Sequence, residues 1–175
     1  MDGARILAAM LVASDGSVDS AVVRSIGELR TVFAPVMARF AAERAEPRHV
    51  VALRKIVQQM RVADDDTAEL ARRALDFWTE VVAATNNLAF TLAFDSLALS
   101  YRSILEHLSH LLAEELRAVD EYELLVDAIA ARKGYAAAER AAGIVAHGTS
   151  AIERLTEALD AGQPPRSRRP RRARS

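Results

Sequence analysis

Residues 22–40 read VVRSIGELRTVFAPVMARF. Within that stretch Val22, Ile26, Leu29, Phe33, Met37 and Phe40 recur at intervals of three and four, the period that gathers side chains on one side of an α-helix. The strict alternation of a half-buried strand is absent. The stretch therefore predicts a helix over about 18–44, capped by Ser17, with Pro35 expected to kink it because proline removes a backbone donor. The same period continues in both directions. A short helix is expected over 3–13, ended by the turn-forming Ser14-Asp15-Gly16. Downstream, Pro47 opens a third helix with a seam of Val50, Leu53, Val57 and Met60, and Asp64-Asp65-Asp66 closes it while placing negative charge at the start of the next. The fourth, over about 67–85, carries Leu70, Ala74, Phe77, Trp78 and Val81 on its inner side. After Asn86-Asn87 a fifth is expected over 88–113, with Phe94, Leu97, Tyr101, Ile104 and Leu108 in one stripe and further apolar residues around it, as suits the spine of a core. A sixth, over 115–132, would bury Val119, Tyr122, Val126 and Ile129. Gly134 separates it from a seventh, over 135–159, with Ala138, Ala142, Val145, Thr149 and Ile152 inward. Short connections make sequential helices antiparallel, so the expected fold is all-α: a single antiparallel bundle of about seven helices.

Composition narrows the function. A chain of 175 residues, 51% hydrophobic, has enough apolar residues for one sizeable core and is short for two ordinary domains. It contains no cysteine, which excludes disulfides and thiolate metal sites and fits a cytoplasmic address. No apolar run reaches the ~18–20 residues of a membrane helix, and Met1-Asp2-Gly3-Ala4-Arg5 lacks the basic flank of a signal peptide, so no membrane partner is expected. The formal net charge is −1, but Arg166, Arg168, Arg169, Arg171, Arg172 and Arg174 lie together in a tail without acids. The body is accordingly six charges more acidic than the whole, which repels a phosphate backbone. The tail, 162–175, has nothing apolar to bury and is expected to be disordered.

Catalytic motifs are missing: there is no phosphate-cradling glycine loop, nucleophile elbow or HExxH pair, so no catalytic residue is assigned and an enzyme is not expected. His107 and His110 stand one turn apart, but nothing near them in sequence completes a metal site. Thr149 on an apolar stripe commonly bonds its own backbone, and Trp78 reads equally as core. Arg30 is different. The spacing Ile26, Arg30, Phe33, Met37 sets a guanidinium on or beside an apolar face, where it needs a partner: an acid from a neighbouring helix, or the anionic end of a ligand.

Gly3-Ala4-Arg5-Ile6-Leu7, Glu28-Leu29-Arg30-Thr31, Ala83-Ala84-Thr85-Asn86-Asn87, Tyr101 and Tyr122 follow one another in an order and spacing that resembles the C-terminal ligand-sensing (FCD) domain of FadR, in the GntR family of bacterial transcriptional regulators. The resemblance covers nearly all of the ordered body. It implies an effector pocket inside the bundle, a homodimer, and a tethered winged helix-turn-helix domain that reads DNA. That domain is expected to be absent here, leaving 1–16 as a linker helix and 17–161 as the effector-binding and dimerisation domain. Many members hold a metal with an aspartate and three histidines; the matching positions look like Ala74, Trp78, Glu123 and His147, so no metal or other cofactor is expected. The acyl-CoA-responsive FadR subgroup is nearer. The resemblance then implies a ligand site of Arg30, Trp78, Tyr101, Thr149 and His147, taking a fatty acyl-CoA or a related anionic metabolite such as a small carboxylate. Glu153 and Ala146 stand where that subgroup has tryptophan and glycine. A helical interaction module whose interior is closed core is the alternative from a different class.

Overall fold

The helical period of residues 22–40 is realised as α1, Ser20–Arg44, which runs unbroken through Pro35. The computed structural model describes residues 20–64, 66–102, 109 and 112–162. Among them follow α2 (Pro47–Ala63), α3 (Thr67–Ala84), α4 (Leu88–Arg102), α5 (Ala113–Arg117), α6 (Val119–Ala130) and α7 (Gly134–Gly162), with no strand. The all-α bundle is thus observed. The helix expected over 3–13, the pair His107 and His110, and the arginines of the tail lie outside the described residues.

Local chemistry sets the boundaries. Pro47 occupies the first turn of α2, where its missing N–H is no loss, and the Glu46 N–H donates to Nδ1 of the buried His49 (3.1 Å). Asp66 caps α3, accepting from the amides of Ala68 (3.1 Å) and Glu69 (3.0 Å). The Asn86-Asn87 break works in two parts. Asn86 turns the chain with φ 48°, a conformation asparagine tolerates, and Asn87 Oδ1 caps α4 by accepting from Ala89 (3.0 Å) and Phe90 (3.3 Å).

Hydrogen bonds between helix ends latch one end of the bundle. Arg44 donates to the Thr85 carbonyl (3.2 Å), while Arg132, at φ 56° between α6 and α7, reaches the carbonyls of Glu43 (3.1 Å) and Ala45 (3.3 Å). The C-termini of α1, α3 and α6 therefore meet the start of α7. From there α7 runs back antiparallel along α1: Gly134 lies against Arg39, and Gly27 lies against Ile152. A Cβ on Gly27 would come 3.1 Å from Ile152 Cγ2, so the absence of a side chain is what lets the two helices close on each other there.

This pair corrects the expected centre of the core. α4 is not the spine among the described residues: Leu88 is 74% and Leu92 60% exposed, while Phe90 and Phe94 are half-buried. The core lies among α1, α2, α3, α5, α6 and α7, with Phe77 edge-on to both Trp78 (centroids 5.8 Å apart) and Tyr122 (5.0 Å). The inner side of α3 is as expected. On α7 Val145 and Ile152 are buried as expected, but the first half is turned by about one residue: Ala137, Ala141 and Ile144 are buried, whereas Ala142 is exposed and Ala138 and Thr149 are half-buried. The sixth helix also begins differently, since Ala118 separates α5 from α6.

Candidate functional site

At the end of the bundle opposite the latch, α1, α3, α4, α5 and α7 leave a cavity of about 110 Å³. Its wall is apolar over most of its area. Ile26, Leu29, Phe33 and Met37 come from α1, Ala71, Ala74, Leu75 and Trp78 from α3, Phe94 and Ala98 from α4, and Leu112, Leu116 and Val145 close it from α5, its flank and α7. Three polar residues enter this wall: Arg30, Ser109 and Glu115.

Arg30 reaches the cavity because its helical position shares a side with Ile26, Phe33 and Met37, as the spacing requires. Its Nη2 donates to Glu115 Oε1 in an ion pair. The partner acid therefore comes from a neighbouring helix, the first of the two alternatives open for this guanidinium. The carboxylate is deeply placed, with a side chain 3% exposed against 20% for Arg30. Burial pushes the Glu115 carboxyl above its usual value, while Arg30 foremost, then the Gly148 backbone and His147, pull it back down. Desolvation wins, so the ionised pair is held at a cost.

Gly148 makes the pair possible. A Cβ at this position would lie 2.8 Å from Leu112 Cδ2 and 3.1 Å from Arg30 Nη1, and closer still to Glu115 Oε2. The carboxylate thus occupies the volume that any larger residue on α7 would fill.

The structure brings two of the five expected site residues into the cavity wall, Arg30 and Trp78. Thr149 is half-buried on α7 with its hydroxyl donating to the Val145 carbonyl (2.8 Å), and it is not part of the wall. His147 is exposed on the same helix, also outside the wall, and near enough to Glu115 to act on its charge. Tyr101 lies in the last turn of α4, and its side chain lies outside the described residues. Glu115 and Gly148 were not anticipated. Glu115 left only a weak signal, its place between Leu112 and Leu116 beside the equally charged Glu114.

The positions matched to a metal set do not form one. Ala74 and Trp78 are buried beside the cavity and offer no ligand atom of the required kind. Glu123 is on the outside of α6, ion-paired with Arg61 of α2, and His147 is exposed. Among the described residues no group of three or more His, Cys, Asp or Glu is placed to hold a metal ion.

Fold and cavity together define an all-α bundle with a largely apolar, partly open cavity whose wall carries the Arg30–Glu115 ion pair. The model of the FCD domain matches residues 25–147, and the chain belongs to that family. It is similar to two mycobacterial proteins, the HTH-type transcriptional regulator Mce2R of Mycobacterium tuberculosis and the uncharacterized HTH-type transcriptional regulator Mb0601 of Mycobacterium bovis. Each is 30% identical over 119 residues, 68% of this chain and 49% of the relative. The chain thus spans about half the length of the curated relatives it matches. Among solved structures, Streptococcus agalactiae GntR shares the fold at 18% identity, with a TM-score of 0.59, over 86% of this chain and 78% of that one. Among the described residues no helix is long and apolar enough to cross a membrane.

Proposed function

We propose that this chain is the effector-sensing part of a GntR-type transcriptional regulator, and that its effector is an amphipathic carboxylate. The charged end meets Arg30 and the apolar end fills the cavity beside Trp78. In this reading the protein acts without catalysis and without a metal, as a homodimer in the cytoplasm. DNA is contacted by a winged helix-turn-helix domain outside the residues described above.

The observation that carries the proposal is Arg30, a cation set in the wall of an apolar chamber inside an FCD bundle. A guanidinium there offers a planar fork to a carboxylate, and the surrounding apolar wall strengthens the contact by excluding water.

Volume decides the size of the ligand. At about 110 Å³ the cavity is close to the ~150 Å³ chamber that accepts benzene and well below the roughly 300–1,000 Å³ of drug-sized pockets. A short-chain carboxylate matches that volume. A fatty acyl-CoA is the second reading, favoured by the apolar pair Ala74 and Trp78, and it requires the chamber to widen. Tyr101, Thr149 and His147 would join the site in that wider form.

Calorimetry and thermal melting with hexanoate, hexanol and octanoyl-CoA test this. Hexanoate is expected to bind and raise the melting temperature, hexanol to do so more weakly, and Arg30→Gln to remove the difference between them. Equal responses to acid and alcohol, or none to either, would refute the carboxylate assignment. Stronger stabilisation by octanoyl-CoA than by hexanoate would favour the second reading.

A further inference from the structure

We infer that Glu115 is the counter-anion an effector must displace from Arg30, so that an anionic effector binds with uptake of one proton. The inference rests on the carboxylate reading above and adds to it a rule of selection: ligands are admitted by exchange of one anion for another.

The geometry makes exchange necessary. Arg30 Nη2 is engaged by Glu115 Oε1 at the cavity wall, and Glu115 is 2% exposed. Its second oxygen lies against the Gly148 backbone on α7. An arriving carboxylate therefore meets a guanidinium that has a carboxylate on it. Among the described residues Arg30 is the cation paired with Glu115, and a second carboxylate sharing it beside the buried Glu115 leaves excess negative charge. Such pairs relieve it by keeping one proton between them.

The neighbours determine which carboxyl takes the proton. Among the described residues, Arg30 comes from α1; from α7 come the Gly148 backbone and the exposed His147; α3 contributes Ala71, Ala74, Leu75 and Trp78, none titratable; α4 contributes Phe94 and Ala98; on α5 itself Glu114 and Arg117 are exposed. Once the effector's charge offsets Arg30, the largest influence favouring the ionised Glu115 is weakened, and burial still opposes charge there. Glu115 is thus the group that protonates. The balance is simple: an effector carboxylate and one proton from solvent enter, the effector pairs with Arg30, Glu115 becomes a neutral carboxylic acid, and no covalent bond in the effector changes. A neutral ligand triggers none of this.

The test is hexanoate binding by isothermal titration calorimetry in two buffers of different ionisation enthalpy, repeated across pH. The intact protein is expected to take up close to one proton per hexanoate at about pH 8, where an ordinary carboxyl is fully ionised. Its affinity should fall about tenfold per pH unit in that region, as one-proton linkage requires. Glu115→Gln, which keeps the shape without the charge, should bind with no proton uptake, a flat pH profile and higher affinity at the alkaline end. His147→Gln should retain the uptake; loss of uptake in that variant with retention in Glu115→Gln overturns the assignment.

Binding to the intact protein with no proton uptake also overturns it, since Arg30 then holds both anions or the ligand sits elsewhere. Absence of hexanoate binding to both the intact protein and Glu115→Gln overturns the carboxylate reading itself and this inference with it. Circular dichroism establishes that each variant is folded, and the proton counts on the intact protein and on His147→Gln together decide the matter even if Glu115→Gln is not.

Discussion

Replacing Arg30 by methionine should destabilise the ligand-free protein strongly, and replacing Glu115 by methionine at the same time should restore most of the loss. Methionine keeps an unbranched stem of similar length in each case. Removing one partner of a buried pair costs about 3–5 kcal/mol because the other charge is stranded. Arg30 retains some exposure, with its side chain 20% accessible, and Glu115 can neutralise by taking a proton, so the lower end applies: about 3 kcal/mol. For a chain of this size that corresponds to roughly 6–12 °C in melting temperature. The double variant should lie within about 1 kcal/mol of the parent, since a buried pair exchanged for apolar side chains is often neutral or better. Urea unfolding of all four proteins gives the coupling directly.

The pH dependence supplies an independent sign. The Glu115 carboxyl is raised in the folded state, chiefly by burial, above its unfolded value of 4.5. The folded protein therefore binds that proton more tightly. Its contribution is complete below 4.5 and is lost as pH rises through the folded-state value. Without Arg30 the folded value is higher still, so the Arg30→Met penalty should be small near 4.5 and grow towards neutrality. Two single variants costing under about 1 kcal/mol each, with an additive double and no pH dependence, would mean that the pair is solvated and the reasoning is wrong.

Four further outcomes are expected. Gly148→Ala should destabilise by about 1–3 kcal/mol despite alanine's better helix propensity, because its methyl collides with Leu112 and Glu115; shortening Glu115 to alanine in that background should recover part of the loss, measured by urea unfolding. Phe77→Ala should cost about 3–5 kcal/mol, since a fully buried ring is lost from between Trp78 and Tyr122. Trp78 is the chain's single tryptophan and lines the cavity, so hexanoate should shift its emission; calorimetric binding with unchanged emission would place the ligand elsewhere. Light scattering at micromolar concentration should give a homodimer, and a monomer would remove that part of the proposed function.

How far the sequence could be read depended on the size of the residues that carry each stripe. α3 was legible because Leu70, Phe77, Trp78 and Val81 are large and their period admits one inward side. α7 misled by about one residue. Alanine at 136, 137, 138, 141 and 142 is apolar enough to fit several rotations, and only burial separates Ala141 from the exposed Ala142. α4 misled in another way, since apolar residues all around a helix suggest a core position, yet Leu88 and Leu92 face outward. Periodicity gives the side on which apolar residues gather and is silent on whether anything covers it.

The site divides along the same line. Arg30 stood out as a charge on an apolar side, and the rule that such a charge needs a partner left two candidates open, an acid on another helix or the anionic end of a ligand. That acid could not be identified from the rule. Glu115 is one half of a pair with Glu114 in a segment of mixed character, and the two carboxylates differ only in which way a five-residue helix turns them: Glu114 is exposed and Glu115 buried. Gly148 is still less visible, because its contribution is the absence of a side chain. Both residues acquire meaning only once α1 and α7 are known to run antiparallel at close range, with Gly27 against Ile152 and Gly148 against the Arg30–Glu115 pair. An arginine on α1, a glutamate on α5 and a glycine on α7 then form one device, in which the space left open by the glycine is what allows the glutamate to hold the arginine until another anion takes its place.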